Sequence, residues 1–166
     1  FVGWRDLQLR VEGPAVGQLQ AIFAADWFLA TRYDLTDPAF FPSVEPRGHA
    51  LVQLLQSGPD EPHEAIHRLY FGAIASARER VLLATPYFVP DQAMSVALQT
   101  AALRGVDVRL LVPRHSNHRV TFHAGRSFYE ELLRAGVRVH EYLPGMFRTR
   151  AMVVDGRLGT VGSFNL

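Results

Sequence analysis

With 166 residues, the chain can form one well-buried domain with some length to spare. A hydrophobic content of 48% marks an ordered globular protein, and a net charge of +1 gives no global electrostatic case for a nucleic-acid partner. The absence of Cys excludes disulfides and thiolate metal sites, and no run of about eighteen apolar residues is present to span a membrane.

In chain order, Leu7 to Glu12 alternates apolar and polar residues, the pattern of a half-buried strand. Gly13-Pro14 breaks that strand and opens a helix, since Pro is tolerated in a first turn. Val16, Leu19, Ile22, Phe23 and Trp27 recur at helical spacing to about Leu29. Asp34 to Gly48 carries Pro38, Pro42 and Pro46 with little periodicity, and reads as an extended connector. A strand is expected over His49 to Gln56, then a turn at Ser57-Gly58-Pro59-Asp60. Pro62 to Arg80 predicts a helix with Ile66, Leu69, Tyr70, Ala73, Ile74 and Ala77 inward.

Val81 to Tyr87 is an apolar strand of the kind buried in parallel sheets. Asp91 caps a helix that runs to Arg104 and is closed by Gly105, and Val106 to Val112 forms the next strand. A helix over Val120 to Ala135, closed by Gly136, leads into a strand over Val137 to Tyr142. This alternation predicts an α/β fold: a layered mixed β-sheet flanked by helices on both faces. Ligand groups are then expected near the carboxyl ends of the strands.

By that rule Tyr87, which ends a strand, either lines a ligand pocket or fills the sheet edge. Arg114, His115, Ser116, Asn117, His118 and Arg119, in the loop after the next strand, either contact an anionic group or form a solvated polar loop, and the second reading is preferred. His63 and His67, at i and i+4 without a nearby acidic ligand, read as surface; His123 and His140 have no metal-ligand spacing. Glu141 either faces the site or makes a structural ion pair. No metal or cofactor is expected.

The last nineteen residues, Arg148 to Leu166, carry the most chemistry. Two cations at i and i+2 precede a short apolar run, an Asp-Gly turn, a second apolar run and Gly-Ser-x-Asn. That is a hairpin, with Arg148 and Arg150 directed to one side of its first strand. Two guanidinium forks beside hydroxyl and amide groups suit a multiply charged anion such as phosphate.

These residues resemble the second signature motif of the phospholipase D superfamily, H-x-K-x-x-x-x-D followed by G-S-x-N. Asp155, Gly162, Ser163 and Asn165 match it, Arg150 stands at the Lys position and Arg148 at the His position. TPYFVPD (85–91), AALRGVDVRLLVP (101–113), AGRSFYEELLRAGVRVHEY (124–142) and WRDLQLRVEGPAV (4–16) resemble the bacterial cardiolipin synthase branch. Gln8 departs from that branch, which usually shows His in W-R-D-x-H.

The resemblance implies two such motifs meeting at one site, a His attacking phosphorus and the Lys and Asn groups holding phosphoryl oxygens. By this alignment Arg148, Arg150 and Asp155 occupy the catalytic positions, and Ser163, Asn165 and Tyr87 bind phosphate or substrate. The implied ligand is an anionic phospholipid such as phosphatidylglycerol. The implied partner is a first phospholipase D-like half of the same chain, at the cytoplasmic face of a membrane. Beginning with Phe and stopping after Asn165-Leu166, the sequence reads as a fragment. Residues 1–34 would be the end of the first half, 35–48 a connector and 49–166 most of the second half.

Guanidinium stays protonated above pH 12 and has no acceptor lone pair, so Arg148 can neither attack phosphorus nor shuttle a proton. All seventeen basic residues are Arg, so Arg150 follows a chain-wide bias, but seven His persist elsewhere and Arg148 does not. The expectation is a phosphatidyltransferase-like protein with weak or absent activity, and no turnover by this segment alone. The alternatives are a non-catalytic binder of anionic lipid or phosphate, and a phospholipase D-type nuclease.

Overall fold

The computed structural model describes residues 3–56, 65–116 and 118–166. The chain divides into two compact units, one running Leu9–Gly58 and the other comprising Phe1–Gln8 with Pro59–Leu166.

In the unit Leu9–Gly58, helix α1 (Ala15–Thr31) starts after Gly13-Pro14 as expected. It ends at Arg32, whose left-handed backbone (φ 59°) lets its N–H donate to the Phe28 carbonyl at 2.8 Å. A short 3₁₀ helix (Pro38–Phe40) follows, with the Asp37 carboxylate accepting from the Ala39 N–H. Neither expected strand forms: Leu7 to Glu12 and His49 to Gln56 lie outside any sheet. Alternation signals a surface fit for a sheet, but backbone groups become a strand only beside a partner strand.

The other unit holds the sheet. A two-residue strand, β1 (Trp4–Arg5), pairs in parallel with a later one, β5 (Met146–Phe147). The main sheet has five strands. They are β2 (Arg80–Ala84), β3 (Asp107–Pro113), β4 (Arg138–Tyr142), β6 (Ala151–Val154) and β7 (Leu158–Val161), in the order β4-β3-β2-β6-β7. The first three run parallel, β6 antiparallel to β2, and β7 antiparallel to β6. The mixed, layered α/β sheet expected from the alternation is therefore the architecture of this unit.

Helices α2 (Ala65–Ser76), α3 (Gln92–Leu103) and α5 (Tyr129–Arg134) supply the core on one face of the sheet. Ile74, Leu98, Ala101 and Leu132 there meet Val81, Leu83, Val108, Leu110, Met152 and Val154, the alternate, inward positions of three neighbouring strands. Leu82, Ala84, Leu111, Ala151 and Val153 point to the other face, where with Leu7 they line an open cleft of about 390 Å³.

The helix expected over Val120 to Ala135 is two helices, α4 (Arg119–Ser127) and α5. At the join the Phe128 N–H reaches back three residues, to the Gly125 carbonyl at 3.3 Å, which tightens the turn and redirects the chain. Gly125 seats α4 on the loop after β2, because a Cβ there would lie 2.3 Å from the Phe88 carbonyl oxygen.

Candidate functional site

Three elements bring the sequence-predicted residues to one end of the sheet. β2 delivers Thr85-Pro86-Tyr87 past its carboxyl end, β6 begins just after Arg150, and β7 runs out into Gly162-Ser163-Phe164-Asn165. The open end of the β6–β7 hairpin is closed by the Gly162 N–H donating to the Arg150 carbonyl at 3.3 Å. That bond sets Arg150 opposite the terminal loop.

The loop is anchored from below. Phe164 packs on Tyr70 of α2 with ring centroids 5.0 Å apart, and the Tyr70 hydroxyl meets Thr160 Oγ1 at 2.9 Å. Burial of that hydroxyl raises its pKa, with the bond to Thr160 acting in the opposite direction. Leu166 is buried, and its carbonyl accepts from the Val89 N–H. With Phe164 and Leu166 turned inward, Ser163 and Asn165 are exposed.

Arg150 Nε donates to Asn165 Oδ1 at 2.8 Å, and its Nη1 lies 3.4 Å from the Arg148 carbonyl. The rest of the guanidinium fork, with the Asn165 amide nitrogen beside it, presents N–H donors of the kind that hold phosphoryl oxygens. Arg148 is fixed by its backbone, whose N–H donates to the Arg5 carbonyl at 2.9 Å. Its guanidinium lies over the Trp4 indole, 5.3 Å from the ring centroid. Burial alternates from Phe147 through Arg150, with Phe147 and Thr149 buried and the two Arg partly exposed, so both cations leave the chain on one side.

Asp155 is placed elsewhere. It occupies the hairpin turn at the far end of β6, where Asp155 (φ 53°) and Gly156 (φ 66°) both take left-handed backbone and the Arg157 N–H closes on the Val154 carbonyl. Five residues of extended chain put it roughly 16 Å from Arg150. Its carboxylate accepts from the backbone N–H groups of Arg80, Arg78 and Glu79 at 2.8 to 2.9 Å, which holds its pKa below the usual carboxylate range. Asp155 therefore fastens the α2–β2 turn to the hairpin and does not join Arg150 and Asn165.

Tyr87 is half-buried at the carboxyl end of β2, with its ring edge-to-face with His118 at 5.3 Å. With Phe88, Val112, Phe122 and Tyr129 it lines a small cavity of about 20 Å³ beneath α4.

Three contacts have no warning in the local sequence. Trp4 reaches Arg148 across 144 positions, and no spacing rule joins them. His67, expected as plain surface, pairs with Asp91 Oδ2 at 2.6 Å; His63 lies outside the described residues. Asp91 also caps α3 by accepting from the Met94 N–H, and that bond, followed by the pairing with His67, lowers its pKa. Glu141 is held in ion pairs with Arg114 and Arg126 rather than turned to Arg150.

The family described as "Cardiolipin synthase, PLD-like domain" matches residues 70–166. The chain belongs to that family. It is 43% identical over 168 aligned residues to "Cardiolipin synthase" of Geobacillus thermodenitrificans, covering 100% of this chain and 34% of that protein. It is 44% identical over 163 residues to "Cardiolipin synthase A" of Pseudomonas fluorescens, covering 98% of this chain and again 34% of that protein. The chain thus spans about a third of the length of the curated relatives it matches. A solved phospholipase D family member, Nuc from Salmonella typhimurium, aligns with a TM-score of 0.49 at 22% identity. That alignment covers 60% of this chain and 63% of Nuc. Among the described residues, no helix is long and apolar enough to cross a membrane.

Proposed function

We propose that this chain carries the end of the first half and most of the second half of a cardiolipin synthase-type phosphatidyltransferase, acting on an anionic phospholipid such as phosphatidylglycerol at a membrane surface. In this reading Arg150 and Asn165 hold the phosphoryl oxygens, with Ser163 and Tyr87 at the edge of the site. A first phospholipase D-like half of the same protein would supply the nucleophile. The observation that carries the reading is the Arg150–Asn165 hydrogen bond, which joins a cation and an amide at the end of the sheet. Relatives at more than 40% identity across the whole chain support the lipid branch over a nuclease.

Arg148 limits the chemistry. Phosphoryl transfer through a covalent intermediate needs one group to attack and another to donate and recover a proton. Arg148 can stabilise charge but cannot move a proton, so turnover is weak or absent. A second reading is a non-catalytic protein that holds anionic lipid. The same residues favour it, because an Arg in place of the ring adds anion affinity where it removes proton transfer.

The test uses the full-length protein with phosphatidylglycerol vesicles, with product lipid measured directly. Slow cardiolipin formation supports the transferase. Vesicle binding without product supports the non-catalytic reading, and cleavage of single-stranded DNA without lipid turnover would overturn both.

A further inference from the structure

From Leu110 to Tyr129 the sequence has three Arg, three His and no Asp or Glu. The fold makes this stretch the end of β3, the following loop and α4, at the carboxyl edge of the parallel strands. Among the described residues, Glu141 of β4 is the carboxylate that reaches it. Its two oxygens are divided between two cations: Oε2 accepts from Arg114 Nη1 at 3.0 Å, and Oε1 from Arg126 Nη2.

Both cations are set in place independently of Glu141. The Arg114 backbone N–H donates to the Tyr142 carbonyl at 3.1 Å, extending the β3–β4 pairing by one residue. The Arg126 guanidinium lies 4.4 Å from the centroid of the Phe122 ring. The two arginine side chains are 52% and 41% exposed, so each guanidinium keeps donors facing solvent. Two cations on one carboxylate leave the cluster with a charge of +1, and three His flank it in sequence at 115, 118 and 123.

The Glu141 side chain is 23% exposed between the two cations, so the pairs lie toward the surface, where a carboxylate–guanidinium pair contributes little. A phosphoryl group brings more charge and more acceptor oxygens to the same two forks. We propose that the Arg114–Glu141–Arg126 cluster is a second phosphoryl-anion site, in which Glu141 is a resident counter-ion that an incoming phosphate displaces. The cluster shares no residue with Arg150 and Asn165, so it does not depend on the transferase reading. The ligand is a phosphate carried by a lipid headgroup or free in solution.

The experiment titrates the full chain, in an Arg150→Ala background that cripples the first site, with inorganic phosphate and separately with phosphatidylglycerol vesicles. Phosphate binding should persist in that background. Glu141→Gln should tighten it about 1.5- to 5-fold, in keeping with removal of one partly exposed competing charge. Arg114→Ala with Arg126→Ala should weaken it more than about 10-fold, as loss of two charged donors implies. Arg134→Ala, on an exposed pair with Glu130, should change nothing. Vesicle binding that follows the same ranking identifies a lipid headgroup; a ranking confined to free phosphate identifies a soluble ligand. Loss of all binding in Arg150→Ala would overturn the proposal, as would Glu141→Gln failing to tighten it while melting normally. If Glu141→Gln melts early, Arg114→Lys decides: it keeps the charge and loses the fork, so binding equal to the parent overturns the proposal.

Discussion

Gly125 and Gly72 allow one substitution to be made twice with opposite outcomes. Both are in helices, where Ala is favoured over Gly by about 1 kcal/mol. At Gly72, on the exposed side of α2, an added Cβ meets nothing within 4 Å. Gly72→Ala should therefore stabilise the fold by about 0.5–1 kcal/mol. At Gly125 the same Cβ would stand 2.3 Å from the Phe88 carbonyl oxygen, about 1 Å closer than the roughly 3.3 Å of a close carbon–oxygen contact. Relief requires moving backbone, since Phe88 is buried and the next residue, Val89, is bonded to Leu166. Overpacking of this kind costs about 1–3 kcal/mol, and a backbone obstacle puts it near the upper end. After the helix-propensity gain is deducted, about 2 kcal/mol of destabilisation remains. At about 2–4 °C per kcal/mol for a chain of this size, Gly125→Ala should melt about 4–8 °C below the parent and Gly72→Ala about 2 °C above it. Thermal and denaturant unfolding of the two variants side by side measures this. A Gly125→Ala protein as stable as the parent would refute the tight seating of α4 on the loop that carries Tyr87.

Asp155→Asn keeps a residue that tolerates the left-handed turn but removes the charge seen by three backbone N–H groups. Because the folded-state pKa of Asp155 is depressed, its stabilising contribution is present above the unfolded value of about 3.9 and lost as pH falls through the folded value. The melting-temperature gap between parent and variant should therefore be full near neutrality and shrink on acidification below about pH 4; a constant gap would contradict the anchoring role. Trp4 is 66% exposed, and its contact with Arg148 is worth about 0.5–1 kcal/mol at such a site. In a Trp27→Phe background, Arg148→Ala should shift the remaining indole emission while leaving stability within about 1 kcal/mol, and an unchanged spectrum would deny the contact.

The parts of the fold legible in the sequence are those with local punctuation. Asp91 marks the start of α3 through its bond to the Met94 N–H, while Gly105 (φ 91°) and Gly136 (φ 98°) take left-handed backbone between a helix and the next strand. Those signals placed β2, β3 and β4 to within a few residues at each end. The strand patterns at 7–12 and 49–56 misled because alternation describes a face, and among the described residues no partner strand lies alongside to complete the ladder. The break at Phe128 was hidden because Gly125 is tolerated in a helix, and only the Phe88 carbonyl explains its presence.

At the candidate site, the meeting of Arg150 with Asn165 follows from hairpin geometry, which returns the chain beside its own start. The position of Asp155 does not follow, since motif spacing records distance along the chain and not which end of a strand a side chain occupies. Long-range pairs such as Trp4 with Arg148 or Arg114 with Glu141 have no local signature at all.

The proposal that Arg150 and Asn165 hold phosphate while Arg148 stands where a proton carrier is needed is tested most directly by placing such a carrier there. Full-length protein bearing Arg148→His should form cardiolipin from phosphatidylglycerol about 10²- to 10⁴-fold faster than the parent, the usual contribution of a general acid or base. Adding Arg150→Ala to that variant should remove the gain. No gain from Arg148→His in a folded, vesicle-binding protein, or a gain untouched by Arg150→Ala, would contradict the account.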